Sequence, residues 1–178
     1  MFTSHITAFI VASEVGFWVV LALGLVLRYP LRLPKVGAVA LALIPVIDVV
    51  LLAAVALDLR NGTEVGYIHR IAGIYLGVSV AFGPSIIRWA DSRFAYLFAG
   101  GEKPARPPKE GSEAFRHEIA SFGRWLIAAG ISGAAILGLG ATVANDTQSA
   151  ALNGVFPMLG VITVIWLITG PVWVLSKA

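Results

Sequence analysis

The chain has 178 residues, of which 58% are hydrophobic and only 13% are charged, and its net charge is +3. A soluble domain is roughly half apolar and a quarter charged, so this composition excludes an ordinary water-soluble globule and indicates a membrane protein. The small, dispersed positive charge argues against nucleic-acid binding. The absence of cysteine excludes disulfides, thiolate metal sites and thiol catalysis.

Five apolar stretches are each long enough to cross the hydrocarbon core as a helix, which takes about 20 residues. A basic turn with Pro30 follows the first stretch, and a turn with Gly62 follows the second. A long polar segment, residues 88–124, separates the third from the fourth and contains a Pro-rich linker, residues 100–111. The predicted spans are residues 6–27, 36–57, 67–87, 125–143 and 152–175.

The basic residues lie almost entirely on one side of these spans. Eleven of the thirteen Lys and Arg follow the first, third or fifth span, and only Arg60 and Arg70 belong to the other side. Loops rich in Lys and Arg stay in the cytoplasm, so the N-terminus is predicted outside and the C-terminus in the cytoplasm. We therefore predict an all-α transmembrane helical bundle of five spans that forms a single integral membrane domain.

The long cytoplasmic segment begins with mixed aromatic and basic residues from Arg88 to Phe98. This mixture is typical of a helix lying in the headgroup layer, and the alternative is a simple extension of the third span. The basic residues of the segment are expected to meet anionic lipid headgroups. A binding surface for an acidic partner is the alternative.

Small residues recur every four positions in the third and fourth spans and so lie on one face of each helix. Such faces let helix backbones approach closely inside a membrane. We expect the two faces to pack within one protomer, and a homodimer contact is the alternative. The residues are Gly73, Gly77 and Ala81 in the third span and Gly130, Ala134 and Gly138 in the fourth.

Four ionisable residues interrupt the spans, namely Glu14, Asp48, His69 and Arg70. At a rise of about 1.5 Å per residue, all four fall in the outer half of the bilayer in the predicted orientation. A charge in hydrocarbon is costly and usually needs a partner or a water-filled cavity. We therefore predict a polar cluster in which Arg70 pairs with Glu14 or Asp48, His69 lies close by, and Asp58 stands at the outer mouth.

The same residues also have a purely structural interpretation. The two acids would be protonated and hydrogen-bonded to neighbouring carbonyl or hydroxyl groups, while His69 and Arg70 would extend to the outer interface. The chain lacks the motifs of nucleotide-binding loops, zinc peptidases and serine hydrolases. Its three histidines do not have the spacing of paired haem ligands. We therefore expect no enzyme, no cofactor and no metal site.

Two functions remain open after these exclusions. The preferred interpretation is a non-catalytic membrane scaffold or accessory subunit, whose buried charges are structural. The alternative is a small transporter or a proton- or cation-linked carrier, in which Glu14 and Asp48 bind the ion and Arg70 tunes them.

Several short motifs together resemble one protein family. They are Ser13-Glu-Val-Gly-Phe-Trp18, Asp48, Asp58-Leu-Arg60, and the stretch from Phe82 to Asp91 before the Pro-rich basic loop. The chain resembles the YmcC-like integral membrane proteins of bacilli and actinobacteria over most of its length. The resemblance implies several spans in a bacterial cytoplasmic membrane. It implies no activity and transfers no catalytic residue.

Overall fold

A computed structural model describes residues 3–105, 108 and 111–176, and it is all-helical within them. The predicted all-α class is therefore confirmed. The helices are α1 (Thr3–Arg28), α2 (Pro34–Ala42), α3 (Ile44–Arg60), α4 (Tyr67–Phe98), α5 (Gly111–Thr142), α6 (Asp146–Leu152) and α7 (Val155–Leu167). A π-helical turn (Ile168–Val172) and a short α8 (Trp173–Leu175) follow.

Four helical segments in the described part of the chain are long and apolar enough to cross a membrane. They contain 26 to 32 residues each, which at about 1.5 Å per residue exceeds the 30 Å hydrocarbon core. They overlap the predicted second to fifth spans and are Lys35–Arg60, Tyr67–Phe98, Gly111–Thr142 and Asp146–Leu175. The first span, which falls on α1, remains a prediction.

The second of the predicted spans consists of two helices because of one proline. Pro45 lies in the first turn of α3 and has no N–H to donate to a carbonyl four residues earlier. The chain therefore turns at Leu43, whose N–H bonds the Ala40 carbonyl at 3.1 Å in a tighter turn. The α2–α3 break follows directly from this position of proline.

The main helix contact is formed by α4 and α5, which run antiparallel. A Cβ added at Gly77 would overlap the Ala128 carbonyl and the Ser132 hydroxyl, and one at Gly73 would lie 2.8 Å from Ile136 Cδ1. These two glycines therefore let the α5 backbone approach more closely than any larger residue would allow.

The face of α5 in this contact is not the one expected. Ala128, Ser132 and Ile136 point at α4, whereas Gly130, Ala134 and Gly138 are exposed in the single chain. A Cβ at Gly130 or Gly138 would meet nothing within 4 Å. The expectation that the two small-residue faces pack together within one protomer is therefore wrong. Ala81, the third small residue of the α4 set, is half-buried against the main core. A homodimer contact through the exposed face of α5 stays a prediction.

Aromatic side chains attach α7 to this helix pair. The Trp166 ring stacks on Trp125 with centroids 5.6 Å apart and on Phe82 with centroids 5.8 Å apart. The Trp125 indole N–H also donates to the Thr163 hydroxyl at 2.9 Å, so its buried polar group is satisfied. The core thus extends from α4 through α5 to α7.

A second, smaller core joins α1, α2 and α4. Leu21, Leu25, Leu41 and Ala90 are buried in it, and Phe94 packs at its edge. Because α4 continues without interruption to Phe98, the mixed aromatic and basic stretch predicted after the third span is part of the same helix.

Candidate functional site

A hydrogen-bonded network lies where α3 ends and α4 begins. His69, the third residue of α4, is only 2% exposed. Its Nδ1 accepts a hydrogen bond from the Gly66 backbone N–H at 3.0 Å, so Nδ1 carries a lone pair and no proton. This hydrogen bond assigns the ring proton to Nε2, which donates to Asp58 Oδ2 at 3.0 Å.

The turn between the helices completes the environment of Asp58. Gly62 adopts a φ of +80°, a left-handed conformation that glycine accepts without strain, and the chain reverses there. The reversal brings the Thr63 hydroxyl to Asp58 Oδ1, to which it donates at 3.0 Å. Each oxygen of the Asp58 carboxylate therefore accepts a hydrogen bond.

Gln148 of α6 joins this turn to the far part of the chain. Its Nε2 donates to the Leu59 carbonyl at 3.0 Å and to the Thr63 carbonyl at 2.8 Å. Its Oε1 accepts the Asn145 backbone N–H at 2.9 Å, which closes a capping box at the start of α6. Gln148 is 6% exposed, and both ends of its amide are satisfied. We call Asp58, Thr63, Gly66, His69 and Gln148 the Asp58 network.

Arg70 does not belong to this network. Its guanidinium lies against Gly154, where an added Cβ would be 3.1 Å from Nη1, and its buried Nε has no hydrogen-bond partner. Adjacent residues on a helix point about 100° apart, so Arg70 turns away while His69 faces Asp58.

Within the described residues Arg70 forms no ion pair within 4 Å, so the predicted pairing with Asp48 is wrong. The Glu14 side chain, the other predicted partner, lies outside the described residues.

Asp48 forms a separate site deeper along α3. It is 2% exposed, the Ser79 hydroxyl of α4 is its polar neighbour, and its Oδ2 has no hydrogen-bond partner among the described residues. Asp48 precedes Asp58 by ten residues, and Ser79 follows His69 by ten, as an antiparallel pair requires. Ten residues rise about 15 Å, so Asp48 lies well away from the Asp58 network. The predicted residues thus do not form a single cluster: Asp48 lies apart from the Asp58 network, and Arg70 belongs to neither.

A third polar group lies at the opposite end of the bundle. Arg28 Nε is 3.4 Å from Asp91 Oδ1, and the Arg28 guanidinium lies 5.9 Å from the centre of the Tyr29 ring. Burial, followed by the hydrogen bond to Asp91 and its charge, raises the pKa of the Tyr29 hydroxyl above its ordinary value near 10. Tyr29 therefore keeps its proton at neutral pH.

Sequence reasoning placed His69 and Asp58 in one cluster but missed Gln148 and Thr63. The signal for Gln148 was present, because Asn145 followed three residues later by Gln148 is a capping-box pattern. Nothing in the pattern reveals that the amide of Gln148 also bonds two carbonyls of the α3–α4 turn. The Arg28–Asp91 pair was missed because its residues are 63 positions apart in the sequence.

The hydrogen bonds of the Asp58 network predict that His69→Ala lowers the free energy of unfolding by about 2–3 kcal/mol, because the substitution leaves the Gly66 N–H and Asp58 Oδ2 unpaired. His69→Gln should retain most of the stability, because its amide oxygen and NH₂ can replace Nδ1 and the Nε2–H. Chemical unfolding in detergent measures both.

The matched control is His117→Ala, because His117 is half-exposed and its Nδ1 lies 3.8 Å from Glu118 Oε1, too far for a hydrogen bond. Its effect should stay within about 0.5 kcal/mol. If His69→Ala were as mild as His117→Ala, or if His69→Gln were as damaging as His69→Ala, the assigned hydrogen bonds would be wrong.

Comparison with known proteins places the chain in a family of membrane proteins. No family model and no solved structure matches it. The chain is 35% identical over 170 residues to the uncharacterized membrane protein YmcC of Bacillus subtilis (strain 168), in an alignment that covers 94% of this chain and 91% of the relative. The resemblance inferred from the sequence motifs is confirmed, and the chain belongs to the YmcC family of membrane proteins.

Proposed function

We propose that this protein is a non-catalytic scaffold or accessory subunit of the bacterial plasma membrane, built from five transmembrane helices. Four spans correspond to the helical segments that are long and apolar enough to cross a bilayer. The 26-residue α1 supplies the fifth, because it rises about 39 Å. The lipid bilayer is the principal partner.

The distribution of charge supports an external N-terminus and a cytoplasmic C-terminus. Two connections lie at the end of the bundle that contains the Asp58 network. They are residues 61–66 and 143–145, and neither contains Lys or Arg. The connections at the opposite end, residues 29–33 and 99–110, contain Arg32, Lys103, Arg106 and Lys109. Basic loops are retained in the cytoplasm, so the Asp58 network lies on the outer side.

The observation that carries the scaffold role is the saturation of the Asp58 network. His69 and Gln148 are almost completely buried, and their side-chain donors and acceptors bond protein groups. A transport site needs polar groups that face a ligand or a water-filled cavity. Groups bonded in this way instead tie α3, α4 and α6 together.

Asp48 supports a second candidate, a proton-linked carrier. It is a buried carboxyl group in the middle of a spanning segment, with one oxygen unpartnered within the described residues. An ionised carboxylate without a cation is costly to bury, so Asp48 would hold a proton and release it only when water or a cation reached it.

Proton flux into liposomes separates the two candidates. The scaffold proposal predicts that purified protein, reconstituted with a trapped pH dye and a potassium diffusion potential, conducts protons no faster than protein-free liposomes. Asp48→Asn should then behave as the wild type. Flux above the background that disappears in Asp48→Asn, but persists in the control Asp146→Asn at an exposed acid, would establish the carrier instead.

The absence of cysteine makes the orientation directly testable. Glu64→Cys and Ser112→Cys each introduce one thiol at an exposed position, at opposite ends of the bundle. A membrane-impermeant maleimide should label Glu64→Cys in intact cells, and Ser112→Cys only after the membrane is permeabilised. Labelling of Ser112→Cys in intact cells would contradict the proposed orientation.

A further inference from the structure

One face of α4 near its C-terminal end carries basic and aromatic side chains that the proposed function does not use. Its residues follow each other at spacings of three and four, so they share one side of the helix. Trp89 is 60% exposed and Tyr96 is 45% exposed. We call this set the Arg88 face; it consists of Ser85, Arg88, Trp89, Ser92, Arg93 and Tyr96.

The opposite side of the same helix is apolar and packed. Ala90 is buried in the second core, with Ile87 and Phe94 against it. Asp91, the acid of this stretch, lies on the packed side and faces Arg28. The Arg88 face therefore presents positive charge that no acid of its own helix turn neutralises.

The two arginines of the face have donors to spare. The Arg93 guanidinium lies 5.0 Å from the centre of the Trp89 ring, a cation–π contact that leaves its N–H groups free to bond outward. Arg88 Nη2 donates to the Ser85 hydroxyl at 3.2 Å. Neither arginine forms an ion pair within 4 Å with any side chain that the structure describes. A guanidinium with several free donors suits a phosphate group.

The length of α4 places this face at the membrane surface. The helix has 32 residues, about 48 Å, whereas the hydrocarbon core takes about 20 residues. A helix that enters the hydrocarbon at Tyr67 leaves it near Ile87, so Arg88 and Trp89 come at the level of the headgroups. Tryptophan is enriched at that level because its ring is amphipathic.

We propose that the Arg88 face binds the headgroup of an anionic phospholipid, with Arg88 and Arg93 donating to the phosphate. Trp89 lies at the boundary with the acyl chains and holds Arg93 in place. This inference uses the proposed insertion of α4 in a membrane, but neither the orientation nor the transport test bears on it.

The test compares lipid binding to the purified full chain in detergent, by native mass spectrometry. Wild-type protein should bind phosphatidylglycerol more tightly than phosphatidylcholine. Arg88→Gln combined with Arg93→Gln should weaken phosphatidylglycerol binding about 25-fold, at about fivefold for each basic contact, and leave phosphatidylcholine binding unchanged. The double substitution to Lys keeps both charges and should retain most of the preference.

The matched control is Lys103→Gln combined with Arg116→Gln, which removes two exposed charges elsewhere at the same end. It should change the preference less than threefold. An equal loss in this control would show that only the total charge matters, and would overturn the site. Full retention of the preference in the Gln variant at Arg88 and Arg93 would also overturn it, and would favour an acidic protein partner.

Discussion

Polar groups buried in a protein must find their hydrogen bonds inside it, because water does not reach them. The Asp58 network meets this constraint at the ends of three helices. His69 connects the start of α4 to the end of α3, and Gln148 connects α6 to the turn between them. The network therefore fixes how these helix ends lie relative to each other.

The close contact of α4 and α5 brings the parts of this network together. In a membrane the hydrophobic effect does not drive helices together, so association depends on van der Waals contact at short range. Gly77 allows that short range by leaving room for the Ala128 carbonyl and the Ser132 hydroxyl. Because α6 follows α5 directly in the chain, the position of α5 against α4 also places Gln148 next to the α3–α4 turn.

Much of the fold could be predicted from hydropathy, since the second to fifth apolar stretches coincide with segments able to span a membrane. The choice of face on α5 could not be predicted in the same way. Two sets of α5 residues recur at four-residue spacing, Ala128, Ser132 and Ile136 on one face and Gly130, Ala134 and Gly138 on another, and hydropathy does not distinguish them. Ile136 fills the space opposite Gly73, which gives dense packing.

The candidate site was predictable only in part, for a related reason. Depth along a helix can be counted from the sequence, but the direction in which a side chain points cannot. His69 and Arg70 lie at nearly the same depth, and yet one meets Asp58 and the other meets Gly154. Gln148 escaped prediction because its partners are backbone carbonyls, which every residue possesses.

Amide hydrogen exchange in lipid nanodiscs tests most directly whether the Asp58 network is a dry, structural element. The Gly66 backbone amide donates to His69 inside the network, and the Gln148 backbone amide donates to the Asn145 side chain next to it, whereas Glu64 lies exposed in the turn that contains Gly66. A structural network predicts that the Gly66 and Gln148 amides exchange over minutes to hours while the Glu64 amide exchanges rapidly. Exchange of the Gly66 and Gln148 amides as fast as that of Glu64 would show that water reaches the network, and would contradict its structural role.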